Sequence, residues 1–182
     1  PASIEYIGEN AFQGCESLYT VNLPYGNLTS IGPRAFFESG ISEMNLPSTI
    51  KSIGEEAFKR CRNMHKINLP NSIESIGPAA FVSCVSLEKV VLPQNLKRLE
   101  QLTFANCQNI REIELPQTLN FIGEMAFYAC YELYELNLPD SILEIQTCAF
   151  EECGIKSIVI PQQVITLSEG LFLDCPNLTS VT

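Results

Sequence analysis

The sequence predicts an α/β repeat solenoid, an arc with a parallel sheet on one face and short helical or 3-10 turns opposite. Three periodic columns predict it. Phe12, Phe36, Phe58, Phe81, Phe104, Phe127, Phe150 and Phe172 recur at spacings of 24, 22, 23, 23, 23, 23 and 22 residues. Pro24, Pro47, Pro70, Pro93, Pro116, Pro139 and Pro161 keep the same period. So do Cys15, Cys61, Cys84, Cys107, Cys130, Cys153 and Cys175, each three residues after its phenylalanine. A globular core needs no such clock, whereas stacked coils must repeat their core contacts.

Aligned on phenylalanine, one unit reads P-x-x-I/L-x-x-I/L-G-x-x-A-F-x-x-C-x-x-L-x-x-I/V-x-L/I, as in Pro70–Leu92. The closing apolar positions, such as Leu87, Val90 and Leu92, fall three and then two residues apart. That spacing predicts a short strand entered through a bend, and the following proline, which has no N–H to donate, ends it. The A-F-x-x-C stretch spaces its apolar residues at three, the period of one helical or 3-10 turn. Pro33 and Pro78 stand where a first helical turn tolerates proline. A glycine precedes this stretch at Gly8, Gly32, Gly54, Gly77 and Gly123, but Glu100, Gln146 and Ser168 replace it elsewhere. The slot therefore reads as a tight turn that prefers glycine without requiring it. Stacked coils would bring the strands about 4.8 Å apart in one parallel sheet. Burying each phenylalanine is worth about 2–3 kcal/mol.

The unit, with L-x-x-I-x-L-P followed by I-G-x-x-A-F-x-x-C, resembles the BspA-like class of leucine-rich repeats over essentially the whole chain. The resemblance implies a surface-exposed or secreted protein of a bacterium or protist, and a role in adhesion to host matrix proteins or other cells. Some units depart from the pattern. Ser39–Ile41 and Cys153–Ile155 lack one residue after the cysteine slot, and Thr103 and Leu171 replace the alanine before phenylalanine.

At 182 residues the chain reads as a single solenoid domain of about eight repeats. It opens on a repeat proline and closes inside a strand, which suggests a fragment of a longer protein. No apolar run is long enough to span a bilayer, and no secretory signal opens it. Twenty-one acidic against eleven basic residues give a net charge of −10, which argues against nucleic acid or anionic lipid as partner. The cysteine spacing places seven thiols in one inward slot, a ladder of free buried thiols and not a disulfide framework, with Cys148 outside it.

Catalytic, cofactor and metal sites find no support. His65 is the one histidine, expected on the solvent side of a strand, and no nucleophile elbow, zinc motif or phosphate loop occurs. Binding is left to the strand surface. Its outward side chains form three columns, running from Tyr19 to Thr179, from Thr20 to Ser180 and from Asn22 to Thr182. Glu43–Lys66 and Lys89–Glu112 read as cross-strand ion pairs. Glu112, Glu114 and Glu135 crowd near Tyr134, with Glu88 and Arg111 beside them and Val91 and Val159 facing outward. An acidic patch with an aromatic anchor suits a protein contact. The tyrosine-rich run Phe127–Tyr134 makes Tyr131 a further candidate. Asn27-Leu28-Thr29 and Asn177-Leu178-Thr179 match the N-glycosylation acceptor. The leading expectation is an extracellular or cell-surface adhesion module for a protein ligand such as a matrix glycoprotein. An intracellular protein-interaction scaffold is the alternative.

Overall fold

A computed structural model describes residues 3–23 and 26–182, so Pro1 and Pro24 of the proline column lie outside the described residues. The chain winds as a parallel β-solenoid of about eight turns, and each coil has three sides. The first side is a two-residue strand ending in the apolar residue before the glycine slot: Tyr6–Ile7, Ser30–Ile31, Ser52–Ile53, Ser75–Ile76, Arg98–Leu99, Phe121–Ile122 and Glu144–Ile145. These pair in parallel as one group of four and one of three. The second side is the A-F-x-x-C turn. The third carries the strands Glu43–Asn45, Lys66–Asn68, Lys89–Val91, Glu112–Glu114, Ser157–Ile158 and Ser180–Val181. The sequence reading expected one strand face, and the structure has two. The I/L-x-x-I/L-G stretch is too short to show a period, yet its N–H and C=O groups pair with the same stretch of the neighbouring coils.

The expected helical or 3-10 turns are absent, and no helix occurs among the described residues. The reason lies in the backbone hydrogen bonds. The N–H groups of Ala35, Phe37 and Ser39 close turns onto Gly32, Arg34 and Phe36, but those of Arg34, Phe36 and Glu38 donate to Glu55, Ala57 and Lys59 of the next coil. Three such bonds of 2.7–3.1 Å cross every one of the seven junctions. A helix would consume these donors internally and leave the coils unjoined. The alternation needs two left-handed residues per coil bracketing each phenylalanine, for example Arg34 and Glu38 at φ 53° and 55°. Fourteen such residues are not glycine, at about 1–2 kcal/mol of strain each, which the crossing bonds offset.

The glycine slot has a different cause from the one its turn position suggests. None of Gly8, Gly32, Gly54, Gly77 and Gly123 is left-handed. A Cβ on Gly77 would instead sit 2.6 Å from the backbone nitrogen of Glu55, because its own N–H approaches to bond Ile53 O at 2.8 Å. Where Glu100 fills the slot, the matching bond to Ile76 is missing and the first strand face parts into its two groups. Gln146 keeps the bond, at 2.9 Å.

Between the sides runs the core. Phe36, Phe58, Phe81, Phe104, Phe127 and Phe150 are fully buried, and the eight rings stack with centroids 5.1–5.9 Å apart and planes within 13°. Beside them stands the thiol ladder. Cys61, Cys84, Cys107, Cys130, Cys153 and Cys175 each donate Sγ–H to the phenylalanine carbonyl one coil back, at 2.9–3.3 Å. The slot thus asks for a small apolar side chain that is also a weak donor. Cys15, with a coil on one side only, is exposed, contrary to its expected inward place. Burial pushes the thiol of Cys61 up to about 11 and that of Cys107 to about 12.

Candidate functional site

The second strand face is assembled by register. Glu43 lies opposite Lys66, Lys89 opposite Glu112, Val91 opposite Glu114, and Glu135 opposite Ser157. Met44, Ile67, Val90 and Ile113 between them point inward and are buried, which turns their neighbours outward. The three outward columns therefore exist as the spacing requires. Glu88, Arg111, Glu112, Glu114 and Glu135 are exposed, Tyr134 is half-buried, and His65 is exposed as expected.

Among these side chains the electrostatics differ from a simple acidic patch. The Lys89 ammonium bridges Glu112 at 2.5 Å and Glu114 at 3.2 Å, so two of the three crowded carboxylates share one cation. Their hydrogen bonds hold the Lys89 pKa above its ordinary value. Arg111 reaches Glu132 at 3.8 Å, and the Lys156 ammonium stands 4.8 Å over the Tyr134 ring. A hydrogen bond with Glu132 raises the Tyr134 phenol. Glu43 and Lys66 are register partners but form no ion pair, while Lys89 and Glu112 do. Glu135 and Glu88 are in no ion pair among the described residues.

Tyr131 is not part of this constellation. It sits at the corner between turn and strand, where its hydroxyl and that of Tyr128 donate to the two carboxylate oxygens of Glu152, each at 3.0 Å. The tyrosine-rich run is thus a clamp across two coils, and its phenols are raised by Glu152.

One feature of the surface escapes a whole-chain charge count. Up to Arg111 the chain holds ten acidic and ten basic residues, and from Glu112 onward eleven acidic residues face a single lysine. The entire net charge of −10 resides in the last 71 residues. Every cation in an ion pair among the described residues lies at or before Arg111. A running count along the sequence carries this signal, which a total conceals.

The coil geometry and the repeat agree with a family model for BspA type leucine rich repeat regions, which matches residues 1–111 and 99–182 in six copies. The chain belongs to the BspA-type leucine-rich-repeat family. A leucine-rich repeat protein from Bacteroides ovatus superposes over all of the chain with a TM-score of 0.90 and 30% identity. The match takes up 47% of that protein, so the chain spans about half its length. The leucine-rich repeat protein of T. pallidum matches 87% of the chain and 66% of its own length, with a TM-score of 0.64 and 28% identity. A leucine-rich repeat protein from Eubacterium ventriosum, 19% identical with a TM-score of 0.57 over 96% of the chain and 57% of its own length, shares the fold. No curated protein matches the chain. BspA-type repeats generally serve protein interaction and not catalysis.

Proposed function

We propose that the chain is a non-catalytic extracellular recognition module, one solenoid unit of a longer protein, that presents its second strand face to a protein of a host or neighbouring cell. A matrix glycoprotein is the ligand class we favour. The observation that carries this reading is the set of three exposed columns, whose coils are joined at every junction by the turn-edge hydrogen bonds and two by two by backbone pairing on the face itself. Fixed backbone spacing spares the face the cost of ordering its backbone on binding. Within it, the columns set Glu43, Glu88, Glu112, Glu114 and Glu135 against Lys66, Lys89, Arg111 and Lys156, and Tyr134 supplies a half-buried aromatic surface. Such a surface favours partners with basic patches.

The test is binding of the soluble chain to an immobilised panel of matrix glycoproteins at physiological salt. Saturable binding lost in the triple variant Glu112→Lys, Glu114→Lys, Glu135→Lys supports the reading. Binding that the triple variant retains moves the site off this face. A second reading, an intracellular scaffold using the same face, is favoured by the free thiols, which need no oxidising compartment. Fractionation of the native protein separates the two.

A further inference from the structure

We propose that the C-terminal end of the first strand face is a second docking surface, built for a cationic, leucine-bearing segment of another protein. It rests on the reading of the chain as a protein-binding module but uses none of the residues assigned there.

The outward slot two residues before the last apolar residue of each first-face strand tells the story. In the middle coils it holds Lys51, Glu74, Lys97 and Asn120, and the Lys51 ammonium pairs with Glu74 at 3.1 Å. In the last two coils the same slot holds Leu143 and Ile165, whose surfaces are 50% and 94% exposed. Leu143 has a coil on either side, so its exposure comes from sequence and not from position in the stack. Single exposed aliphatic residues are ordinary, but two at equivalent repeat positions of adjacent coils, 22 residues apart, make an apolar strip. Phe121, half-buried on the same face, lies one coil before Leu143 with the Arg98 guanidinium 3.6 Å over its ring.

The charge around the strip selects its occupant. Asp140 and Glu144 flank Leu143 in sequence, and neither is in an ion pair among the described residues. The one cation of the last 71 residues, Lys156, is on the other strand face over Tyr134. Phosphate-bearing surfaces, whether lipid or nucleic acid, are repelled by such a field. A second copy docking by twofold symmetry would set these carboxylates against their own equivalents. A segment with lysine or arginine between leucines meets both requirements at once: apolar contact with the strip and neutralisation of its rim.

The test uses the whole chain and a labelled synthetic peptide of alternating lysine and leucine, followed by fluorescence anisotropy at physiological salt. The double variant Leu143→Lys, Ile165→Lys places in this slot the residue that Lys51 and Lys97 already place there, so the coils retain their fold, checked by circular dichroism. Peptide affinity is expected to fall on the order of tenfold or more in this variant. It should also be lost when glutamate replaces lysine in the peptide, and persist in Glu112→Lys, Glu114→Lys, Glu135→Lys. Equal affinity of the double variant and the parent overturns the proposal. So does sedimentation showing a dimer that the double variant dissolves, which would assign the strip to a second copy. Failure of matrix-glycoprotein binding with this peptide result intact would instead count against the first-proposed face alone.

Discussion

The turn edge and the second strand face are made by the same coils, yet they are held together differently. Along the edge, three hydrogen bonds cross every junction and the phenylalanine stack runs beside them without a break. On the strand face the pairing is interrupted, forming between Glu43–Asn45 and Lys66–Asn68 and between Lys89–Val91 and Glu112–Glu114, but not between these two pairs. The difference teaches that cohesion is concentrated on the edge and in the core. The strand face is thereby free to vary its outward residues, as a binding surface must.

Alkaline titration should attack the cohesive side most strongly. Buried Cys61, Cys84, Cys107 and Cys153 keep their thiols protonated well above the ordinary cysteine range. The folded-state values are raised, so their contribution is complete below the unfolded value near pH 8.5–9. It falls as pH rises from there toward the folded values of about 11 for Cys61 and about 12 for Cys107, because the unfolded chain gives up protons first. Each thiol then removes about 1.4 kcal/mol per pH unit, several kcal/mol in all by about pH 10.5. Urea midpoints measured from pH 7 to 10.5 check this, and a flat profile would break the comparison.

Next in size is Phe104→Ala, expected to cost about 3–5 kcal/mol in chemical denaturation, since it removes one fully buried ring from the stack. Gly77→Ala should cost about 1–3 kcal/mol by forcing its coil away from Glu55. Faster amide exchange at residue 77 would show that the Gly77–Ile53 bond opens as it does beside Glu100. Ser83→Gly relieves a left-handed serine at φ 58° and should stabilise by up to about 1 kcal/mol, less whatever entropy glycine adds to the unfolded chain. The smallest effect belongs to the strand face: Glu112→Lys, Glu114→Lys, Glu135→Lys should shift stability by no more than about 1 kcal/mol, because the ion pairs it removes are exposed. Unfolding of that variant would show that the faces have been assigned wrongly.

The period, the inward phenylalanines, the outward columns and the family were all legible in the residues, because a repeat multiplies a weak local pattern until chance cannot explain it. The thiol ladder was legible as a position but not as a set of donors, since the carbonyl that Cys61 bonds belongs to Phe36, twenty-five residues away. The hydrogen bond of Tyr131 was hidden for the same reason. Its partner Glu152 lies one coil on, and only the winding brings a clamp out of what reads as an aromatic patch.

By itself the sequence determined the length of the coil and which side chains face in. Both follow from spacing, which needs no knowledge of the neighbour. Only the tertiary structure decided the conformation of the A-F-x-x-C stretch and the purpose of the glycine slot. An apolar period of three fits a helix as well as a left-handed turn, and the choice depends on where the backbone N–H groups find acceptors. Those acceptors lie in the next coil, out of reach of any local rule.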